Sequence, residues 1–261
     1  MSFGAALMAM GVAKQLFHDY NVEFALFVGL ATFFVYNFQR LVRIPSLSNS
    51  KRDFWLRSSP TTLKVFTLVS FLGVLSIAVN FPFKLWVLFS VLGLLSVFYV
   101  RISVWNLAKG LREIPGLKIF LIALVWSLTL VLGNVLFLKE AIEPNSIRYS
   151  LEVFLFIWLL TIPFDVRDID FDGKLLKSLP YLLGKKVTIL LAVVLAAILF
   201  ALAAMQISTT TAGVFWGKML CYALGFLSVV LAYNKQKPSD WFYSAFVDGL
   251  LIVYGLVLCH Y

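Results

Sequence analysis

Acidic side chains are scarce in this chain: 13 aspartates and glutamates stand in 261 residues, against 22 lysines and arginines. Charged residues of both signs reach only 13%, while hydrophobic ones make up 61%. A soluble domain with so little polar surface would expose large apolar patches, so lipid is the solvent for most of the chain. Cysteine is nearly missing. Cys221 and Cys259 fall in apolar runs without C-x-x-C spacing, which points to neither a disulfide framework nor a zinc site and leaves them as packing residues. The two histidines, His18 and His260, are too far apart in sequence to form a metal pair and are assigned no role. There is no G-x-x-x-x-G-K-[ST] phosphate loop, no H-E-x-x-H and no G-x-S-x-G elbow, so the chemistries those motifs carry find no foothold. The N-terminus has no basic region ahead of a small-residue cleavage site, and no cleavable signal sequence is expected.

What is present is a series of apolar runs. A helix needs roughly 20 apolar residues to cross the hydrocarbon core, or about 17 when flanking charges snorkel. Candidate spans lie near 3–18, 22–40, 62–82, 84–101, 117–138, 149–165, 186–206, 213–233 and 240–260. The 31 uncharged residues between Lys186 and Lys218 are too many for one crossing and split at "QISTTTAG". The cations then cluster after even spans: Arg40, Arg43, Lys51, Arg52 and Arg57 after the second, Arg101, Lys109, Arg112 and Lys118 after the fourth. Arg167, Lys174, Lys177, Lys185 and Lys186 follow the sixth, and Lys235 and Lys237 the eighth. Positive loops mark the cytoplasmic side, so the N-terminus is expected inside and the C-terminus outside. The basic excess is read as membrane topology rather than nucleic-acid binding. The expectation is an all-α, polytopic protein of nine transmembrane helices in one domain, 1–261, with membrane lipid around it. The inside-positive pattern and the lack of a transit peptide fit a bacterial inner membrane. Nine spans would also suit a transporter, but no paired Gly/Pro-broken helices of the kind transport sites use are seen.

The scarce acids are concentrated. "PFDVRDIDFDG", Pro163 to Gly173, holds four aspartates within eight positions. If the sixth span continues as a helix through them, Asp165, Asp168 and Asp172 fall within about 60° of one another, while Asp170 and Arg167 point elsewhere. Three carboxylates on one face repel unless something positive sits between them. Hard oxygens of this kind suit Mg²⁺, which takes one or two carboxylates plus waters and substrate phosphates. The alternative is a solvated acidic helix end neutralised by Arg167, Lys174 and Lys177.

The run "DVRDIDFDGKLLKSLPYLLGKK" resembles the second aspartate-rich motif of the UbiA superfamily of intramembrane prenyltransferases. Asp168 and Asp172 match its D-x-x-x-D element, Arg167 and Asp168 its R-D pair, and "SLPYLLGKK" its run-out into the next helix. "REIPGLK", Arg112 to Lys118, is similar to the family's basic loop ahead of the fifth span. The resemblance implies a nine-helix bundle around a central cavity open toward the cytoplasmic side. It also implies transfer of an isoprenoid group from a polyprenyl diphosphate to a lipophilic, often aromatic, acceptor, assisted by Mg²⁺. In that reading Asp168 and Asp172 are the catalytic metal ligands, with Asp165 as a further one. Asn37, Arg40, Arg43, Lys118 and Lys174 contact diphosphate.

The chain departs from the family at the first motif, N-D-x-x-D, on the second span. Anchored on Asn37, the positions expected to hold aspartate are Phe38, Leu41 and Pro45, and no acid occurs between Glu23 and Asp53. Asn37, Gln39, Arg40 and Arg43 stand there instead. The arginines are expected either to replace part of the metal's charge on the diphosphate, since guanidinium forks bind phosphate oxygens in pairs, or to pair with the aspartates directly. A second class of function therefore stays open: a UbiA-fold protein that binds or moves an isoprenoid lipid, or serves as a structural subunit, without turnover. Asp248 lies about two turns inside the ninth span, where a carboxylate is costly unless it meets a polar cavity or partner. It is a candidate for the same cavity. Glu23 and Glu152 are read as outer-interface residues.

Overall fold

The computed structural model describes residues 1–43, 59–99, 114, 116–138, 140–172, 178–208, 210–234 and 238–260, without the side chains of residues 43 and 170–172. Nine helical rods and no strand occur among them. They are α1 (Ser2–Phe17), α2 (Val22–Arg43), α3 (Pro60–Ala78), α4 (Phe83–Tyr99) and α5 (Leu117–Phe137), then α6 (Pro144–Asp172), α7 (Leu179–Ala204), α8 (Ala212–Ala232) and α9 (Phe242–Cys259). Seven are long and apolar enough to cross a membrane; α1 and α4, with 16 and 17 residues, are shorter. The order matches the predicted spans because each rod is specified locally, by apolar length between polar connections.

Two boundaries move. The sixth rod starts at Pro144 and passes through Pro163 to Asp172, well beyond the predicted 149–165, so the aspartates do continue the helix. Pro163 lacks an N–H and removes one rung of the ladder two residues before Asp165. The seventh rod begins at Leu179, with proline in its first turn, and is interrupted at Gly184 (φ 73°, ψ 168°). Only glycine adopts that backbone without strain, and it separates a short first turn from the long spanning segment.

Rods adjacent in the chain pack against each other except α3 and α4, α8 packs on α6 as well as on α7, and α1 closes the bundle against α9 and α2. The α1–α9 crossing rests on glycine. A Cβ on Gly11 would lie 2.5 Å from the Leu258 Cβ, and one on Gly255 would lie 2.8 Å from the Leu7 carbonyl carbon. Such close backbone approach is how helices associate where lipid offers no hydrophobic drive. Gln15 of α1 adds a hydrogen bond from Nε2 to the Leu258 carbonyl, at 2.8 Å. Phe24, Phe27, Phe81, Phe89 and Phe137 form a ring cluster between α2, the α3–α4 turn, α4 and α5, with edge contacts at centroid distances of 4.7 Å.

The alternating rods leave two ends. The starts of α5, α7 and α9 meet the finish of α2 and α6 at one of them, called here the basic end. The finish of α7 and α9 meets the start of α6 and α8 at the other.

Candidate functional site

At the basic end, three side chains from two rods are drawn together. Lys118, in the first turn of α5, places its Nζ 2.6 Å from Asp165 Oδ1 and 3.2 Å from Asp168 Oδ2 on α6. The contact to Asp165 is ionic and falls outside hydrogen-bond angles, whereas Lys118 donates a hydrogen bond to Asp168. Arg167 Nε donates to the other oxygen of Asp168 at 2.9 Å. Its guanidinium stacks on the rings of Phe164 and Tyr243, at 5.3 and 4.9 Å, which fixes its plane and lowers its hydration. Gly116, with φ 73°, precedes α5 and sets the entry direction of the segment that carries Lys118.

The two aspartates differ in access. The Asp165 side chain is 1% exposed, that of Asp168 22%. Asp165, the more enclosed, has the Lys118 ammonium of α5 as its charge partner and fixes that cation. That role was not legible in sequence, because it joins residues from different rods.

Lys118 stands on the wall of two cavities. The first, of about 100 Å³, lies between α2, α5, α6 and α9. Ile119, Ile122, Trp126, Leu160 and Phe164 make it apolar, and Asp165, Asp248, Tyr36 and Lys118 supply its polar groups. The second, of about 210 Å³, opens between α2, α4 and α5, past Gln39, Ser96 and Tyr99 to Asp168. Both share Tyr36, Lys118, Ile122 and Trp126. An apolar hollow with a few converging polar groups is the usual form of a ligand site.

Asp165, Asp168 and Lys118 come together. Asp248 lines the first cavity, directly after a π-helical turn over Phe242–Val247, a local irregularity common at functional sites. The charges of Asp248 and Arg40 both act on the Tyr36 hydroxyl, which sequence reasoning missed as a site residue. Asn37 turns its amide onto the Phe33 carbonyl of its own helix, 2.9 Å away, and lines neither cavity. Asp172 ends α6, but its side chain, that of Arg43 and the whole of Lys174 lie outside the described residues.

Glu152 requires a correction. It is not an interface residue but fully buried at the opposite end, where Lys218 lies 2.8 Å from its Oε1. Tyr222 and Tyr254 donate to the same oxygen at 2.5 and 2.6 Å, and Gln206 donates to Oε2 at 2.8 Å. Lys218 donates on to Gln206 Oε1 at 3.0 Å and lies over the Tyr149 ring. The one available signal was that Glu152 and Lys218 both interrupt apolar runs, which marks an intramembrane partner.

Rods of membrane-crossing length, a glycine-locked closure and a charged cluster at the lip of an apolar hollow define an intramembrane helical protein with a candidate ligand site at one end. Among solved structures, an apo UbiA homologue from Aeropyrum pernix K1 superposes with a TM-score of 0.72 at 13% identity, over 99% of this chain and 94% of that one. A UbiA homologue from Archaeoglobus fulgidus bound to GPP and Mg²⁺ superposes with a TM-score of 0.61 at 15% identity, over 98% and 95%. The chain has the UbiA fold. No family model and no curated protein matches its sequence.

The donor set can be tested against Mg²⁺. Among the described residues no group of three or more His, Cys, Asp or Glu side chains is placed to hold a metal. Both Asp168 oxygens and Asp165 Oδ1 are in contact with Lys118 or Arg167. An ion between the two carboxylates would have to expel the Lys118 ammonium from the oxygens it holds. The described residues do not fit it.

Proposed function

We propose that the chain is a UbiA-like intramembrane prenyltransferase. It takes an isoprenoid group from a polyprenyl diphosphate and passes it to a lipophilic acceptor. The observation that carries this reading is the Lys118–Asp165–Asp168 cluster on the wall of an apolar cavity, in a fold shared with a homologue solved with GPP and Mg²⁺. The basic end would face the cytoplasm of a bacterial inner membrane.

In this reading the diphosphate rests against Lys118 and Arg167, with Arg40, Arg43 and Lys174 adding positive charge around it. The prenyl tail lies along Ile122, Trp126, Leu160 and Phe164. The bond between the allylic carbon and the diphosphate oxygen breaks, diphosphate leaves into the cationic cluster, and the acceptor forms the new bond to that carbon. Cations preorganised where the leaving group gathers charge lower the barrier, and apolar walls shield the allylic cation from water. Asp248 and Tyr36, which line the same cavity, are the polar groups that meet the acceptor, and the Asp248 carboxylate takes up its proton.

The missing acids on α2 favour a second reading, in which the fold binds or moves an isoprenoid lipid without turnover. The two separate in one experiment on detergent-purified protein. Geranyl and longer prenyl diphosphates are expected to raise its unfolding temperature, because a ligand specific to the folded state must do so. With a lipid extract as acceptor, release of inorganic diphosphate is expected. Stabilisation without release would leave the binding reading alone, and no stabilisation by any prenyl diphosphate would end both.

A further inference from the structure

Resting on that reading, we infer that the prenyl diphosphate binds without a divalent ion, the Lys118 ammonium standing where a metal would bridge Asp165 and Asp168.

Asp165 is already committed. It faces Lys118 at 2.6 Å, and its side chain is only 1% exposed. Mg²⁺ demands near-octahedral oxygen ligands at about 2.1 Å and keeps several waters. Asp168 is committed as well, one oxygen to Arg167 and the other to Lys118. The facing rod adds no acid: residues 24–52 contain none, and Asn37, Gln39, Arg40 and Arg43 stand along its basic end. Metal and lysine would compete for the same oxygens, and the chain supplies the lysine covalently.

The ammonium is also placed to do the binding. It has three N–H donors, of which one is given to Asp168 while the charge faces Asp165 at 2.6 Å. Another remains for a phosphate oxygen, and Lys118 lines both cavities. Arg167 gives one donor to Asp168 through Nε and keeps its terminal nitrogens, in a plane held by Phe164 and Tyr243. Charge-assisted hydrogen bonds from two such groups recognise a diphosphate directly. The aspartates then act as positioning residues for the two cations rather than as metal ligands.

The test is calorimetric titration of the detergent-purified protein with geranyl diphosphate, once in excess EDTA and once with MgCl₂. The expected result is a dissociation constant that agrees within about threefold between the two. A loss of about tenfold or more in EDTA overturns the inference and leaves the proposed function standing. Absence of binding in both media overturns the two together. Lys118→Met alone would strand the Asp165 charge and risk misfolding, so the partner variant is Lys118→Met with Asp165→Asn, which removes one charge of each sign. With its unfolding temperature checked, it is expected to lose binding in EDTA by about tenfold or more. Binding at wild-type strength in that folded variant would overturn the role of Lys118.

Discussion

A lysine meets a carboxylate at each end of the bundle, and the two pairs differ in what surrounds them. At the end opposite the site, Lys218 and Glu152 are 1% and 0% exposed, and both Glu152 oxygens are filled by Tyr222, Tyr254 and Gln206. The network joins α6 and α8 to α9 and to the end of α7. No cavity described above reaches it. At the basic end, Lys118 is 16% exposed, lies on two cavity walls and has a donor to spare. A buried ion pair is tolerated when every lone pair and proton is answered. The first pair meets that condition within the protein and acts as a lock; the second leaves part of it to a ligand.

The largest effect that would break this comparison is expected at the lock. Lys218→Met leaves Glu152 charged and sealed, and is expected to destabilise the fold by about 3–5 kcal/mol, read as a large drop in unfolding temperature. Whatever protein remains folded should bind geranyl diphosphate normally. A variant as stable as wild type would erase the distinction between the two ends. The opposite profile is expected of Asp168→Asn, which loosens Lys118 and Arg167 at a partly exposed position. Stability should change by about 1 kcal/mol or less, while prenyl transfer should fall by up to about 10²-fold, the scale of a misplaced reacting group. A thermal scan beside a diphosphate-release assay reads both. A smaller effect should come from Ile122→Trp, which narrows both cavities without touching either ion pair. It should weaken longer prenyl diphosphates by about tenfold relative to geranyl diphosphate, measured by titration across chain lengths. The smallest belongs to Tyr222→Phe, which deletes one of three hydrogen-bond donors to Glu152 and should lower stability by about 1–2 kcal/mol with ligand affinity unchanged.

The same contrast explains what could be read in advance. The membrane class, the order of the nine rods and the shared face of Asp165 and Asp168 follow from apolar length and helical period, which are properties of contiguous residues. The resemblance around Arg167 to Lys186 led to the fold that the superpositions show. Glu152 was misread because its place near a span end fitted an interface residue, and its partners lie 54 to 102 positions away. Tyr36 was passed over because an aromatic in an apolar run carries no signal of its own.

From the sequence alone comes a chain that must fold in lipid, with three of its 13 acids expected on one face of the sixth rod. Whether those acids would hold a metal, a lysine or a helix end depended on which charge arrived from another rod. Lys118 is 50 residues from Asp168 in the chain and 3.2 Å from it in space. Such pairings are set by how rods cross, through packing such as the glycine contacts of α1 and α9. Local periodicity cannot encode that, because in lipid every rod is apolar on nearly all its faces and pattern alone does not choose its neighbour.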